Sequence, residues 1–422
     1  MIRRNAQPQL DPAADAAQLL RRIGFGTLAL VLPIASLVSR RAAVVLVPIG
    51  VVLLIISTLI EAPGYFGTMI KRSFRSVPGL AVIGLAAWAV LSLVWSPFTG
   101  AASEKAGNLV LAVTLGFVGM ASLPERMRAS NLNLAPLGTG VAALFALVLI
   151  MVAALRQEPE APSAVERGVS IILIMSWPAL AWLLSRERGL SALGLALAVG
   201  LLALTRFEDG EVVAMILGAA AFGAVSASRR TATQIAALVM AGLMLAAPLL
   251  PFLLIPIVSR LPESASDLVQ TLGIWADVVS REPLQLVTGH GLDTVLRGRL
   301  TGVLPPGSPT TLLFETWYEL GVVGAVTAAI SLYFAVRAAG EMPGPLAAGG
   351  VAAFTVAFTL SALGFATLQP WWLMTLTGVV LLFGAIASGQ YRTDRPALPE
   401  QSRATAGPMR PKAAIRPDPT ED

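Results

Sequence analysis

Two carboxylates one helical turn apart stand in an otherwise apolar stretch of the sequence. Glu315 and Glu319 lie in SPTTLLFETWYELGVVG, residues 308–324. Side chains four residues apart share a helix face, and carboxylates at membrane depth are costly and usually face a polar cavity. We therefore predict that Glu319 faces a cavity and that Glu315, nearer the outer surface, could accept a proton. In the structural alternative, the helix dipole and solvent stabilise both carboxylates.

Cationic side chains and the chain's one histidine come shortly before this stretch. Arg281, His290, Arg297 and Arg299 lie in REPLQLVTGHGLDTVLRGRLTG. The planar guanidinium group pairs bidentately with phosphate oxygens, so the arginines could bind a lipid pyrophosphate. They could equally be solvated loop charges or bind lipid head groups. His290 could titrate near neutral pH, although its place inside a Gly-x-Gly turn also suits a structural role.

A second polar cluster interrupts the apolar sequence at LTRFEDGE. It contains Arg206, Glu208, Asp209 and Glu211. These residues could coordinate a cation or bind a sugar. They could also form a short solvated hairpin between two apolar segments.

The composition places these polar residues in a membrane protein. Hydrophobic residues make up 55% of the chain, charged residues 13%, and the mean hydropathy is +0.75, well beyond what a soluble core needs. The chain has no cysteine, which excludes disulfides, thiolate metal sites and a cysteine nucleophile. With one histidine, a histidine-based metal site is also implausible, so we predict no metal.

Twelve apolar runs predict the elements that position the polar residues. A bilayer core about 30 Å thick needs roughly 20 residues of helix, and lipid admits only helices or closed barrels. We predict an all-α polytopic membrane protein with about 12 transmembrane helices and a long extracytoplasmic loop, residues 259–310, between helices 9 and 10. The runs lie at 23–39, 42–60, 79–95, 107–123, 135–155, 168–185, 189–205, 211–228, 233–258, 311–336, 345–364 and 369–388.

The distribution of Lys and Arg predicts the orientation of this bundle. If residues 1–22 form a cytoplasmic N-terminal segment, most basic residues fall in cytoplasmic segments, as the positive-inside rule requires. Arg40 and Arg41, in a tight hairpin on the predicted outer side, do not fit. We predict a membrane domain over residues 23–390 and a cytoplasmic tail over residues 391–422, disordered because it is rich in proline and charge.

Within the predicted outer loop, SASDLVQTLGIWADVV has the pattern of an amphipathic helix. Leu268, Leu272, Trp275 and Val279 share one face of that helix. This apolar stripe could lie on the bilayer surface or pack on the helices beneath it.

The order of these features resembles the O-antigen ligase and polysaccharide polymerase family. The long loop contains IW, then P, then GHGLD, and SPTTLLFETWYELGVVG follows. In that family a Gly-x-Gly turn precedes a His-Asn pair, which is followed at fixed spacing by Glu-Leu-Gly and a further Gly. The positions of this chain that fit the spacing are Gly289, Gly291, Glu319, Leu320, Gly321 and Gly324.

The resemblance implies a glycosyltransferase of the bacterial inner membrane. Such enzymes take a glycan from undecaprenyl pyrophosphate at the periplasmic face and join it to a lipid or glycan acceptor in O-antigen, lipopolysaccharide or exopolysaccharide assembly. The resemblance implies that no nucleotide sugar or metal is needed, because pyrophosphate is already a good leaving group. We expect no cofactor and no nucleic-acid partner. Catalysis needs a base near the acceptor hydroxyl and cations near the departing phosphate. The expected substrate-binding residues are Arg206, Arg281, His290, Arg297, Arg299 and Thr310.

Several positions depart from the family pattern. Thr310 and Thr311 stand where the family has its His-Asn pair, and Thr271 stands where an arginine is usual. Threonine cannot act as a general base at neutral pH. Either Glu315 has taken over as the base, with Glu319 at the position of the family's acid, or the chain is a non-catalytic relative that binds lipid-linked glycan or assembly proteins. A transporter or flippase is a third alternative.

Overall fold

All regular elements in the described part of the chain are helices. The computed structural model describes residues 12–156, 163–206, 210–260, 266–281, 285–364 and 367–389. Each of the twelve apolar runs is mainly helical, with non-helical residues only near its ends among those described, so the predicted all-α class is confirmed. The predicted tail, residues 391–422, lies outside the described residues.

The helices are numbered here in chain order. The first eight are Pro12–Ala35 (α1), Ala42–Glu61 (α2), Pro63–Phe74 (α3), Val77–Val94 (α4), Thr99–Ala121 (α5), Ala129–Leu155 (α6), Ser163–Ser185 (α7) and Gly189–Leu204 (α8). The other eight are Glu211–Ala227 (α9), Arg229–Val258 (α10), Ser266–Arg281 (α11), Gln285–Thr288 (α12), Thr294–Thr301 (α13), Leu312–Gly340 (α14), Pro345–Ala362 (α15) and Pro370–Ser388 (α16).

The architecture is that of a polytopic membrane protein. Within the described ranges, nine helices are long and apolar enough to cross a membrane, namely α1, α2, α4, α6, α7, α10, α14, α15 and α16. Two of the remaining predicted spans correspond to the shorter apolar helices α8 and α9, and the third corresponds to α5, which carries Glu104 and Lys105 near its start. The count of twelve spans stays a prediction.

The first helix begins earlier than the predicted span. Residues 12–22 are the continuous start of α1. The carbonyl of buried Ala17 accepts a hydrogen bond of 2.7 Å from the Ser57 hydroxyl in α2, and Arg21 pairs with Glu61. Packing against α2 therefore extends the helix beyond its most apolar part, which hydropathy alone could not indicate.

Contacts between helix termini define two ends of the bundle. At one end the start of α5 meets α14, where Lys105 binds Glu319. At the other, α2 and α5 end together, where the Thr58 hydroxyl donates to the Ser122 carbonyl over 2.6 Å. We call the first the cavity end, because the cavity described below opens there.

The segment between the ninth and tenth predicted spans contains α11, α12 and α13. The amphipathic helix predicted there is α11, and its apolar stripe packs on the bundle. Leu272 and Trp275 are buried, and Trp275 meets the ring of Phe314 in α14 edge-on at 5.6 Å. Leu268 at the start of the stripe is exposed. Of the two alternatives for this stripe, packing on the helices beneath therefore holds for its central residues.

Candidate functional site

The helix that carries the two glutamates is broken at Gly321. This residue has φ 64° and ψ −162°, a backbone conformation that residues with a Cβ rarely adopt. The three carbonyls before the break accept hydrogen bonds from outside α14. Those of Tyr318 and Glu319 accept from backbone amides, as described next, and the Leu320 carbonyl accepts from the Trp88 indole over 2.8 Å. The break gives the outer part of α14 fixed partners on other elements.

The Gly-His-Gly turn docks directly on this break. The amide of His290 donates to the Tyr318 carbonyl over 2.8 Å, and the amide of Gly291 donates to the Glu319 carbonyl over 3.0 Å. A Cβ added at Gly289 would lie 2.3 Å from the Glu319 carbonyl oxygen, and one added at Gly321 would lie 2.5 Å from the carbonyl oxygen of Val287. These two glycines are needed because the backbones approach too closely for side chains.

The His290 side chain belongs to the same docking contact. Its ring stacks on the Tyr318 ring with centroids 3.9 Å apart, and its Nδ1 lies 3.1 Å from the Tyr318 carbonyl oxygen. His290 is not among the described residues that line the cavity. Its position therefore fits the structural role considered from the sequence better than substrate binding.

Lys105, which the sequence reasoning missed, lies among three carboxylates. Its Nζ is 2.9 and 3.1 Å from the two carboxylate oxygens of Glu319, 3.6 Å from Oε2 of Glu315 and 3.9 Å from Oδ1 of Asp293. Charges buried together must be paired to be tolerated, so Lys105 is the counter-ion of this cluster. The sequence could have indicated this role, because Lys105 is a lone lysine beside the predicted span 107–123 and lies on the same predicted side of the membrane as the loop.

The sequence predicted that Glu319 faces the cavity. In the structure it is instead enclosed behind Lys105. Its side chain is 1% exposed. Besides the two bonds from Lys105, its Oε1 accepts a hydrogen bond of 3.3 Å from the amide of Val295 at the start of α13. With both oxygens bonded, Glu319 fixes the relative positions of α5, α13 and α14.

Glu315 has a different environment, although it lies only one turn away. It is 7% exposed, and its Oε2 accepts no hydrogen bond from any residue that the structure describes. The Lys105 amine at 3.6 Å compensates its charge. A buried acceptor without a donor is costly, and burial argues against the alternative in which solvent stabilises this carboxylate. Glu315 therefore keeps one oxygen without a donor among the described residues, whereas both oxygens of Glu319 are bonded.

The cavity beside Glu315 has a volume of about 300 Å³ and opens at the cavity end of the bundle. Its walls come from α5, α13, the start of α14 and the connection between α15 and α16. The lining residues are Ala101, Glu104, Lys105, Asn108, Asp293, Leu296, Arg297, Thr310, Glu315, Gly364, Thr367, Leu368, Gln369 and Pro370. The cavity thus combines a carboxylate that can accept a hydrogen bond with cationic and amide groups.

Of the three predicted loop arginines, only Arg297 lines the cavity. Its Nε lies 3.3 Å from Oδ2 of Asp293. Arg299 instead donates to the carbonyl of Pro306 over 2.9 Å, which closes the turn after α13. Arg281 pairs with Asp277 on an exposed face of α11 at 2.8 Å. The three arginines are close in the sequence, but their side chains point in different directions and contact different parts of the protein.

Arg206 lies in a separate polar contact on α7, α8 and α9. Its Nε is 3.3 Å from Oε2 of Glu211, whose other oxygen accepts a bond of 2.8 Å from the Ser170 hydroxyl. A further ion pair of 3.6 Å joins Arg206 to Glu166. Glu208 and Asp209 lie outside the described residues. Arg206 is thus engaged in holding three helices together and is not among the described cavity-lining residues.

The two threonines in place of the His-Asn pair take different positions. Thr310 lines the cavity. Thr311 caps α14, because its hydroxyl accepts a bond of 3.2 Å from the amide of Phe314. Only Thr310 is therefore placed to contact a ligand. Among the described residues, no group of three or more His, Asp or Glu side chains is arranged to hold a metal ion.

The fold and site define a polytopic α-helical membrane protein with a polar cavity at one end of its bundle. No protein-family model and no curated protein matches the chain.

Proposed function

We propose that the protein is a membrane glycan ligase or polymerase homologue that uses undecaprenyl-pyrophosphate-linked glycan in surface polysaccharide assembly. In this proposal the cavity end faces the periplasm of a bacterial inner membrane, and both termini are cytoplasmic. The observation that carries the proposal is Glu315, a buried carboxylate that lines the cavity and whose Oε2 has no hydrogen-bond donor in the described residues.

The proposal is also supported by the way the motif residues meet. The Gly-x-Gly turn at 289–291 and the Glu-Leu-Gly stretch at 319–321 are separate motif segments in the family resemblance, and here they bond to each other through the amide of Gly291 and the carbonyl of Glu319. This contact holds Glu319 against Lys105 and so sets the position of Glu315 one turn away.

The proposed reaction is transfer of the glycan to an acceptor hydroxyl. The Glu315 carboxylate accepts the hydroxyl proton while the hydroxyl oxygen bonds to the anomeric carbon. The bond from that carbon to the pyrophosphate oxygen breaks, and its electron pair leaves with the pyrophosphate. Arg297 at the cavity wall stabilises the departing negative charge, and the Lys105 amine lies 3.6 Å from Oε2 of Glu315.

A non-catalytic protein that binds lipid-linked glycan is the second candidate. The observation that favours it is Thr310, which lines the cavity at the position of the family's histidine. Its hydroxyl can donate and accept hydrogen bonds but cannot remove a proton at neutral pH. Such a protein would bind the same substrate and release it unchanged to a partner.

The test compares Glu315→Gln with wild-type protein in transfer of labelled lipid-linked glycan to an acceptor. Glutamine keeps the shape and loses the proton acceptor, so we expect the rate to fall about 10²–10⁴-fold with substrate binding retained. Glu341→Gln is the control, because it removes an exposed carboxylate between α14 and α15, at the end of α14 away from the cavity.

Each outcome of this comparison favours one reading. Transfer that persists in Glu315→Gln at the wild-type rate rejects Glu315 as the base. Binding without transfer by wild-type protein favours the non-catalytic candidate. If wild-type protein neither binds nor transfers any lipid-linked glycan, both candidates fail.

A further inference from the structure

The short helix α13 presents an exposed apolar stripe at the cavity end. Leu296 is 48% exposed, Leu300 71% and Val303, just after the helix, 72%. Leu296 and Leu300 are four residues apart and share one face of the helix, and Val303 follows Gly302, whose left-handed conformation ends the helix. The opposite face is buried, since Val295 is inaccessible and the α-carbon of Gly298 faces Leu304. The helix is therefore held in place by its buried face, and its apolar stripe is exposed in that packed position.

The depth of α13 places this stripe beside membrane helices. The amide of Val295 at its first turn bonds to Glu319, which is seven residues into α14, about 10 Å along the axis at 1.5 Å per residue. Lys105, which also contacts Glu319, is six residues into α5, about 9 Å by the same measure. The start of α13 therefore lies alongside the first turns of α5 and α14, below their ends.

Two cations flank the stripe within the same short segment. The side chain of Arg297 is 46% exposed, and the Nε of Arg299 is held by the Pro306 carbonyl at the surface. An apolar face with arginines beside it is the pattern of a helix that lies in the interface of a bilayer, where guanidinium groups reach lipid phosphates. The stripe offers three side chains, far fewer than the 20–30 residues per partner of a stable protein interface.

We propose that α13 is an interfacial helix that lies in the lipid head-group region at the cavity end. Leu296, Leu300 and Val303 contact the upper acyl chains of bilayer phospholipids, and Arg299 faces their phosphates. Because Leu296 also lines the cavity, α13 forms the wall between the cavity and the bilayer. This inference does not depend on the proposed glycan transfer.

The absence of cysteine from the chain allows a direct test by spin labelling. Leu300→Cys and Val303→Cys each receive a nitroxide, and the protein is placed in vesicles of phosphatidylethanolamine and phosphatidylglycerol. Thr301→Cys is the matched control, because Thr301 is exposed on the same helix but shares the face of Arg297. Collision of each label with oxygen, which concentrates in lipid, is compared with collision with a water-soluble nickel chelate.

We expect oxygen to dominate at positions 300 and 303 and the nickel chelate to dominate at position 301. If the chelate dominates at all three positions, the stripe faces water and the proposal is wrong. If labels at 300 and 303 are immobile and reached by neither reagent, another protein segment or a second copy covers the stripe, which also overturns the proposal. The two stripe positions give independent readings if one variant fails to fold.

Discussion

Lys105 determines which of the carboxylates at the cavity end is available to a ligand. Its amine is shared by Glu319, Glu315 and Asp293, but only Glu319 receives hydrogen bonds from it. Two glutamates on the same helix face therefore differ in environment. Both oxygens of Glu319 are hydrogen-bonded, whereas Glu315 lines the cavity and its Oε2 has no donor among the described residues.

Replacing Lys105 by methionine should destabilise the fold, because it leaves buried carboxylates without their counter-ion. Loss of one partner from a buried pair typically costs about 3–5 kcal/mol. The thermal unfolding midpoint of purified protein, followed by the fluorescence of its eight tryptophans, should fall accordingly.

The matched comparison for this substitution is the double variant Lys105→Met with Glu319→Gln. Replacing Glu319, the most enclosed carboxylate, by neutral glutamine as well should restore part of the lost stability, since positions 105 and 319 then carry no buried charge. A Lys105→Met protein as stable as wild type would show that the lysine does not balance the cluster. A double variant with no recovery would show that Glu319 is not its principal partner.

At the scale of elements, the site depends on a helix break matched to a turn from another part of the chain. The Gly-His-Gly turn supplies two amides, and α14 supplies two carbonyls that the break at Gly321 leaves for external donors. Backbone groups buried without partners are costly, so the turn and the break stabilise each other. The positions of both glutamates follow from this contact.

Gly321→Ala should therefore disrupt the site and the fold together. The added methyl group would meet the Val287 carbonyl at 2.5 Å, and the positive φ alone costs about 1–3 kcal/mol for a residue with a Cβ. We expect a lower unfolding midpoint and loss of ligand binding at the cavity.

Gly223→Ala in α9 is the control for this prediction. An added Cβ there meets nothing within 4 Å, and alanine is favoured over glycine in a helix by about 1 kcal/mol. This variant should be as stable as wild type or more so. Equal stability of the two variants would contradict the role assigned to the break.

At the scale of the whole molecule, the two ends of the bundle should face opposite sides of the membrane. The helices place Pro306 beyond α13 at the cavity end and Glu341 at the end of α14 remote from it. The positive-inside rule predicts that the cavity end faces the outer side, as the proposed function requires.

Cysteine labelling in intact cells tests this orientation. A membrane-impermeant maleimide should label Pro306→Cys in intact cells and Glu341→Cys only after the membrane is permeabilised, because both positions are exposed and the chain has no other cysteine. The reverse labelling pattern would show that the bundle has the opposite orientation in the membrane. Labelling of both positions in intact cells would show that they share one side.

The sequence by itself determined the helical elements of this protein and the presence of acid within them. Apolar runs that match the bilayer thickness predict helices from local composition, because lipid requires each segment to satisfy its own backbone hydrogen bonds. Local spacing also predicted α11, from the period of its apolar residues, and the shared face of Glu315 and Glu319.

Only the tertiary structure decided which side chains meet at the cavity. Lys105 and Glu319 are 214 residues apart, and no local pattern links them. Arg297 reached the cavity whereas Arg281 and Arg299 formed other contacts, because helix direction and packing set where each guanidinium points. Likewise the break at Gly321 is stabilised by the turn that docks on it, and in the resulting arrangement Glu315, and not Glu319, lines the cavity.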